Sequence, residues 1–144
     1  MSTGNVSPRL SVGIVFSDGV IREHGTGKLT IVGTFQMLNA QAFPFLSLPF
    51  QVTAFIENFP TGRPVTASVV LENESAARLA FTSGQMTLDG VHEPGAQVDL
   101  PFPIPQVNFQ SPGIYVVRVL VEDEEIGRKS LFVRSITQPQ FRSN

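Results

Sequence analysis

The chain has 144 residues, ten basic and twelve acidic side chains, a formal net charge of −2 and no cysteine. That length fits one domain able to bury roughly 70 % of its unfolded surface, and the missing thiols exclude disulfides, thiolate metal sites and cysteine nucleophiles. The near-balance of charge gives no footprint for phosphate backbones or anionic lipid, so neither nucleic acid nor membrane is expected as a partner.

Residues 1–9 lack the basic start and apolar h-region of a secretory leader. No stretch approaches the ~18 apolar residues that span a bilayer. A flexible N-terminal segment over 1–9 and a cytoplasmic location follow as expectations. Leu10, Val12, Ile14 and Phe16 then alternate, which predicts a first strand ended by Asp18-Gly19. The polar stretch 18–28 carries Gly19, Gly25 and Gly27 and reads as an exposed loop or an irregular hairpin turn. Leu29 to Phe35 is a second strand, with Gly33 marking a bulge or a close approach.

Residues 37–48 are apolar but broken by Pro44, so they predict a crossover packed on the core. Pro49 to Phe59 is apolar on both faces, as a central strand is. Val65 to Glu72 is another strand, followed by one helical turn or a plain turn at Glu74–Ala77 and short strands at Leu79–Phe81 and Met86–Leu88. Val98 to Phe102 alternates weakly. Pro101, Pro103 and Pro105 cannot donate ladder hydrogen bonds, which makes 101–105 a sheet edge or connector.

Ser111-Pro112-Gly113 is a turn. After it, Tyr115, Val117, Val119 and Val121 alternate with Val116, Arg118, Leu120 and Glu122. Asp123-Glu124 reverses the chain into a last strand ending at Arg134. Turn signals about every ten residues, with no long helix-period segment, predict an all-β sandwich of seven to nine antiparallel strands over residues 10–135, with a tail over 136–144. Pro-Gly-x-Tyr before the penultimate strand resembles the tyrosine corner of immunoglobulin-like sandwiches, which makes the expected fold immunoglobulin-like and implies a hydroxyl bonded to upstream backbone.

The segments Ile14-Val15-Phe16-Ser17-Asp18-Gly19-Val20-Ile21-Arg22-Glu23 and Gly27-Lys28-Leu29-Thr30-Ile31-Val32-Gly33-Thr34-Phe35 carry a second resemblance. Together with the Pro-Gly-x-Tyr hairpin they are similar to a family of uncharacterised bacterial domains across most of the chain. Gly19 departs from that pattern, where a second acid is commoner. The resemblance implies the fold and a bacterial or phage origin, and it implies no catalytic residue.

Candidate chemistry is thin. Gly25-Thr26-Gly27-Lys28 lacks the helix a phosphate loop requires, because a strand follows it. His24 and His92 are the two histidines, each beside glycines or acids in expected loops. With Asp18, Glu23, Glu93 or Asp99 they supply the ligand types of a metal site. The run Glu122-Asp123-Glu124-Glu125 offers carboxylates without the glycine-spaced alternation of a calcium loop. No Gly-x-Ser-x-Gly elbow occurs. Twelve Phe, one Tyr and no Trp suit a core better than a sugar or single-strand stacking platform.

These readings point to a non-catalytic protein-binding or assembly module without a cofactor or metal, acting on a protein partner or on a second copy. Phe43, Phe45 and Leu46 in the apolar connector are its candidate partner surface. Two alternatives are a small metal-dependent hydrolase using His24 or His92 with nearby acids, and a phage or virion structural domain.

Overall fold

The structure, a computed structural model, describes residues 11–60, 62–89 and 97–136. The expected N-terminal segment 1–9, residues 137–144 of the tail, His92 and Glu93 lie outside the described residues. Twelve strands and no helix are present among those described: β1 (Ser11–Arg22), β2 (Leu29–Phe35), β3 (Met37–Ala40), β4 (Phe45–Leu46), β5 (Phe50–Glu57), β6 (Val65–Asn73), β7 (Arg78–Thr82), β8 (Met86–Leu88), β9 (Val98–Ile104), β10 (Asn108–Phe109), β11 (Gly113–Val121) and β12 (Glu124–Ser135).

One sheet runs β2-β1-β5-β9. The other runs β3-β12-β11-β6-β7, with β8 beside β6 at its far end, and β4 pairs with β10 as a small third sheet. The fold is an all-β sandwich, as the alternation predicts. The strand count exceeds the expected seven to nine because β3, β4 and β10 are too short to show a period of their own. β1 also runs on through Asp18-Gly19, where the sequence suggests a stop. The pairing Gly19↔Val32 and Val20↔Ile31 carries it into a hairpin with β2. β3 lies parallel to β12, which departs from the expected antiparallel pairing.

Period-two alternation sends every second side chain to the interior. Phe16 from β1, Val52, Ala54 and Ile56 from β5, and Leu100, Phe102 and Ile104 from β9 face Val65, Val69 and Leu71 of β6, Val117 and Val119 of β11, and Leu131 and Val133 of β12. Asn58 at φ 58° turns the backbone, after which Phe59 also enters the core.

Several local expectations are realised. β9 is a sheet edge, and among the described residues it pairs with β5 alone. Gly33 adopts φ 69°, and the Asp18 carboxylate fills the space where a side chain at 33 would stand. The Tyr115 hydroxyl donates to the Ser111 carbonyl at 2.8 Å, which is the tyrosine-corner bond. The final reversal is centred on Glu122 and Asp123, both at positive φ, one residue earlier than the sequence suggests.

Candidate binding surface

The connector expected to meet a partner divides. Ser47 is fixed by two bonds to Val107: its N–H donates to the Val107 carbonyl at 2.9 Å, and its hydroxyl accepts from the Val107 N–H at 3.0 Å. That clasp lays Phe45 on Phe109, with ring centroids 6.1 Å apart, and Phe43 packs edge-on against Phe45. Phe43 and Phe45 are therefore half-buried against the core. Of the three expected residues Leu46 is the outward one, 57 % exposed, and Leu48 beyond it is 79 % exposed.

A more extended apolar surface lies on the outer face of the larger sheet. β12 pairs Phe132 with Met37 of β3 and with Ile114 of β11. The three side chains form a row across adjacent strands, at 38 % exposure for Met37 and 41 % each for Phe132 and Ile114. The next row holds Val116 and Glu72, with exposed Leu79 on β7.

Charges of both signs border this row. The Arg118 Nε lies 3.2 Å from Glu72 and 3.8 Å from Glu125. Arg128 donates to Glu125 at 2.8 Å, and that hydrogen bond, followed by the carboxylate's charge, holds the Arg128 guanidinium above its ordinary pKa. On the other side Arg134 donates to Asn39 at 3.1 Å. An apolar centre with a charged rim is the usual anatomy of a protein interface.

The expected chemical sites are not drawn together. His24 sits in the exposed turn joining β1 and β2, which is closed by Glu23 and Lys28 at 2.7 Å and by Arg22 on the Gly27 carbonyl at 2.7 Å. That turn is also where Gly25-Thr26-Gly27-Lys28 lies. The four-acid run is dispersed: Glu122 pairs with Arg63 at 2.5 Å, Asp123 accepts from Gln85 at 2.9 Å, and Glu125 meets the arginines. Among the described residues no three of His, Asp and Glu gather as metal ligands. A depression of about 110 Å³ lined by Asn73, Ala76, Leu79 and Tyr115 holds no titratable cluster.

Residues 13–134 match a family described as "Family of unknown function (DUF6941)". The chain belongs to that family. The resemblance read from residues 14–35 and the closing hairpin is thus a shared family, one without an assigned activity. No curated protein matches this DUF6941 chain. Among solved structures it is similar to the Pseudomonas fluorescens alkylpurine DNA glycosylase AlkC bound to DNA containing an abasic site analog, with a TM-score of 0.52 and 15 % identity. The match covers 88 % of this chain and 30 % of the glycosylase chain, so the DUF6941 chain spans less than a third of that enzyme's length. At this identity the likeness is one of fold.

That likeness corrects the exclusion of nucleic acid drawn from composition. A sandwich of this shape occurs in a protein bound to DNA. A net charge of −2 sums over the whole chain and does not describe any one face. No helix among the described residues is long and apolar enough to cross a membrane.

The outer-face row was not singled out in the sequence. Ile114 and Phe132 stand in alternating registers whose other members include Arg118 and Arg128. Which register faces out is set by cross-strand neighbours. A large apolar residue recurring in the arginine-bearing register was the available signal.

Proposed function

We propose that this DUF6941 domain is a non-catalytic binding module that holds a protein partner against the outer face of its six-stranded sheet. The observation that supports this is the row Met37–Phe132–Ile114, three neighbouring strands presenting large apolar side chains to solvent inside a rim of paired charges. Apolar area of this kind contributes most to binding when a partner desolvates it.

The test begins with proteins captured by the wild-type domain from its native host. A captured protein is purified and titrated calorimetrically against wild type, Ile114→Glu and the distant control Leu48→Glu. The reading expects binding to wild type and Leu48→Glu and its loss with Ile114→Glu. Equal binding by all three contradicts it.

A second reading, duplex DNA as the partner, is favoured by the fold shared with a DNA-bound glycosylase. Fluorescence anisotropy with a short duplex separates the two. Saturable binding that weakens steeply with salt, as release of several counterions requires, supports DNA. Binding of the purified partner with salt-insensitive affinity supports the protein reading.

A further inference from the structure

The four-stranded sheet ends in two unlike edges. β9 contains Pro101 and Pro103, with Pro105 just beyond, and proline has no N–H to give an incoming strand. β2, the opposite edge, has seven residues, no proline and no charge, and among the described residues no strand lies on its outer side. The edge strands of the other sheet are shorter: β3 has four residues and β7 has five.

The β1–β2 hairpin also carries unspent apolar surface. Val20, Leu29 and Ile31 on its inner face are only half-buried and stand outside the core cluster. On its outer face Ile21 is 59 % and Val32 45 % exposed. Long uncharged edges normally carry a lysine, a proline or an inward charge to prevent pairing. On β2 the bend at Gly33 is the sole such device.

The order of residues in β2 indicates the occupant. Leu29-Thr30-Ile31-Val32-Gly33-Thr34-Phe35 is nearly symmetric about Val32. We propose that β2 pairs antiparallel with β2 of a second copy about a two-fold axis at Val32, joining two four-stranded sheets into one of eight strands. A two-fold interface needs a patch complementary to itself. In this register Val32 meets Val32, Thr30 meets Thr34, and Leu29 meets Phe35. Ile31 meets Gly33, beside which the Asp18 carboxylate of the same copy already stands. Threonine pairs and pairs of β-branched residues are favourable cross-strand neighbours, and no like charges are opposed. Lys28 falls beside neutral Gln36. An unrelated strand would draw no benefit from this symmetry. The interface uses the four-stranded sheet and stands independently of the outer-face reading.

The absence of native cysteine gives a direct probe. Val32→Cys, oxidised mildly at micromolar concentration, is expected to give a covalent dimer, while Thr87→Cys on exposed β8 stays monomeric. Sedimentation equilibrium supplies the second readout. Wild type is expected to dimerise. Val32→Lys and Val32→Asp, each placing like charges at the axis, should weaken the dimer about tenfold or more. Mixing the two variants should restore it. A monomeric wild type, an unweakened Val32→Lys dimer, a mixture that stays monomeric, or equal cross-linking at positions 32 and 87 overturns the proposal. If the charged variants fail to fold, the cysteine pair decides.

Discussion

The closing hairpin β11–β12 and the opening hairpin β1–β2 share the same alternation of apolar and polar residues, yet they hold different places in the protein. In β11–β12 the inward residues Tyr115, Val117, Val119, Val121, Leu131 and Val133 are all buried, because the four-stranded sheet lies across from them, with Val12 and Ile14 of β1 against Gly127, and β6 and β3 flank the pair. In β1–β2 burial is complete at Phe16 and fades outward, so that Val20, Leu29 and Ile31 remain half-open. Alternation sets which face a residue takes. The layer across from it sets whether that face is core or free surface. The closing hairpin therefore stabilises the fold, while the end of the opening hairpin and the outer face of β12 leave apolar side chains open to solvent.

Substitutions in the two hairpins should separate them. Leu131→Ala should cost about 3 kcal/mol by urea denaturation, as a fully buried leucine does. Leu29→Ala should cost about 1 kcal/mol or less, since much of its side chain is already wet. Equal losses would erase the distinction. Next in size is Gly127→Ala. A methyl there would collide with Val12 across the two sheets, and overpacking should cost about 2 kcal/mol. Val12→Ala in the same chain should recover part of that loss, a coupling that a double-mutant cycle reads directly.

Tyr115→Phe removes the 2.8 Å bond to Ser111 and should cost about 1 kcal/mol, or roughly 2–4 °C in melting temperature for a chain of this size. The smallest effect is expected at Glu125→Gln. Its partner Arg128 is well exposed, so the change should stay within about 0.5 kcal/mol and shrink further in high salt.

Much of the fold was legible in the sequence because its signals are local. The turn at Ser111–Gly113, the prolines of β9 and Gly33 each act within a few residues, and each stands where the pattern places it. Non-local features were not legible. β3 joins β12 across roughly ninety intervening residues, and no local periodicity encodes such a pairing. Phe43 and Phe45 look like surplus apolar material in sequence, but the Ser47–Val107 clasp folds them back on Phe109. The Met37–Phe132–Ile114 row comes from three separated segments and exists only once their register is set.

The central claim is that neighbouring residues of β12 do opposite work: Leu131 holds the core, and Phe132 serves a surface the fold does not need. Urea denaturation of Phe132→Ala beside Leu131→Ala tests it most directly. The account predicts that Phe132→Ala loses less than half the stability lost by Leu131→Ala, with an unchanged dependence on urea. A loss at Phe132 equal to or greater than that at Leu131 would make the outer row part of the structural core and contradict the account.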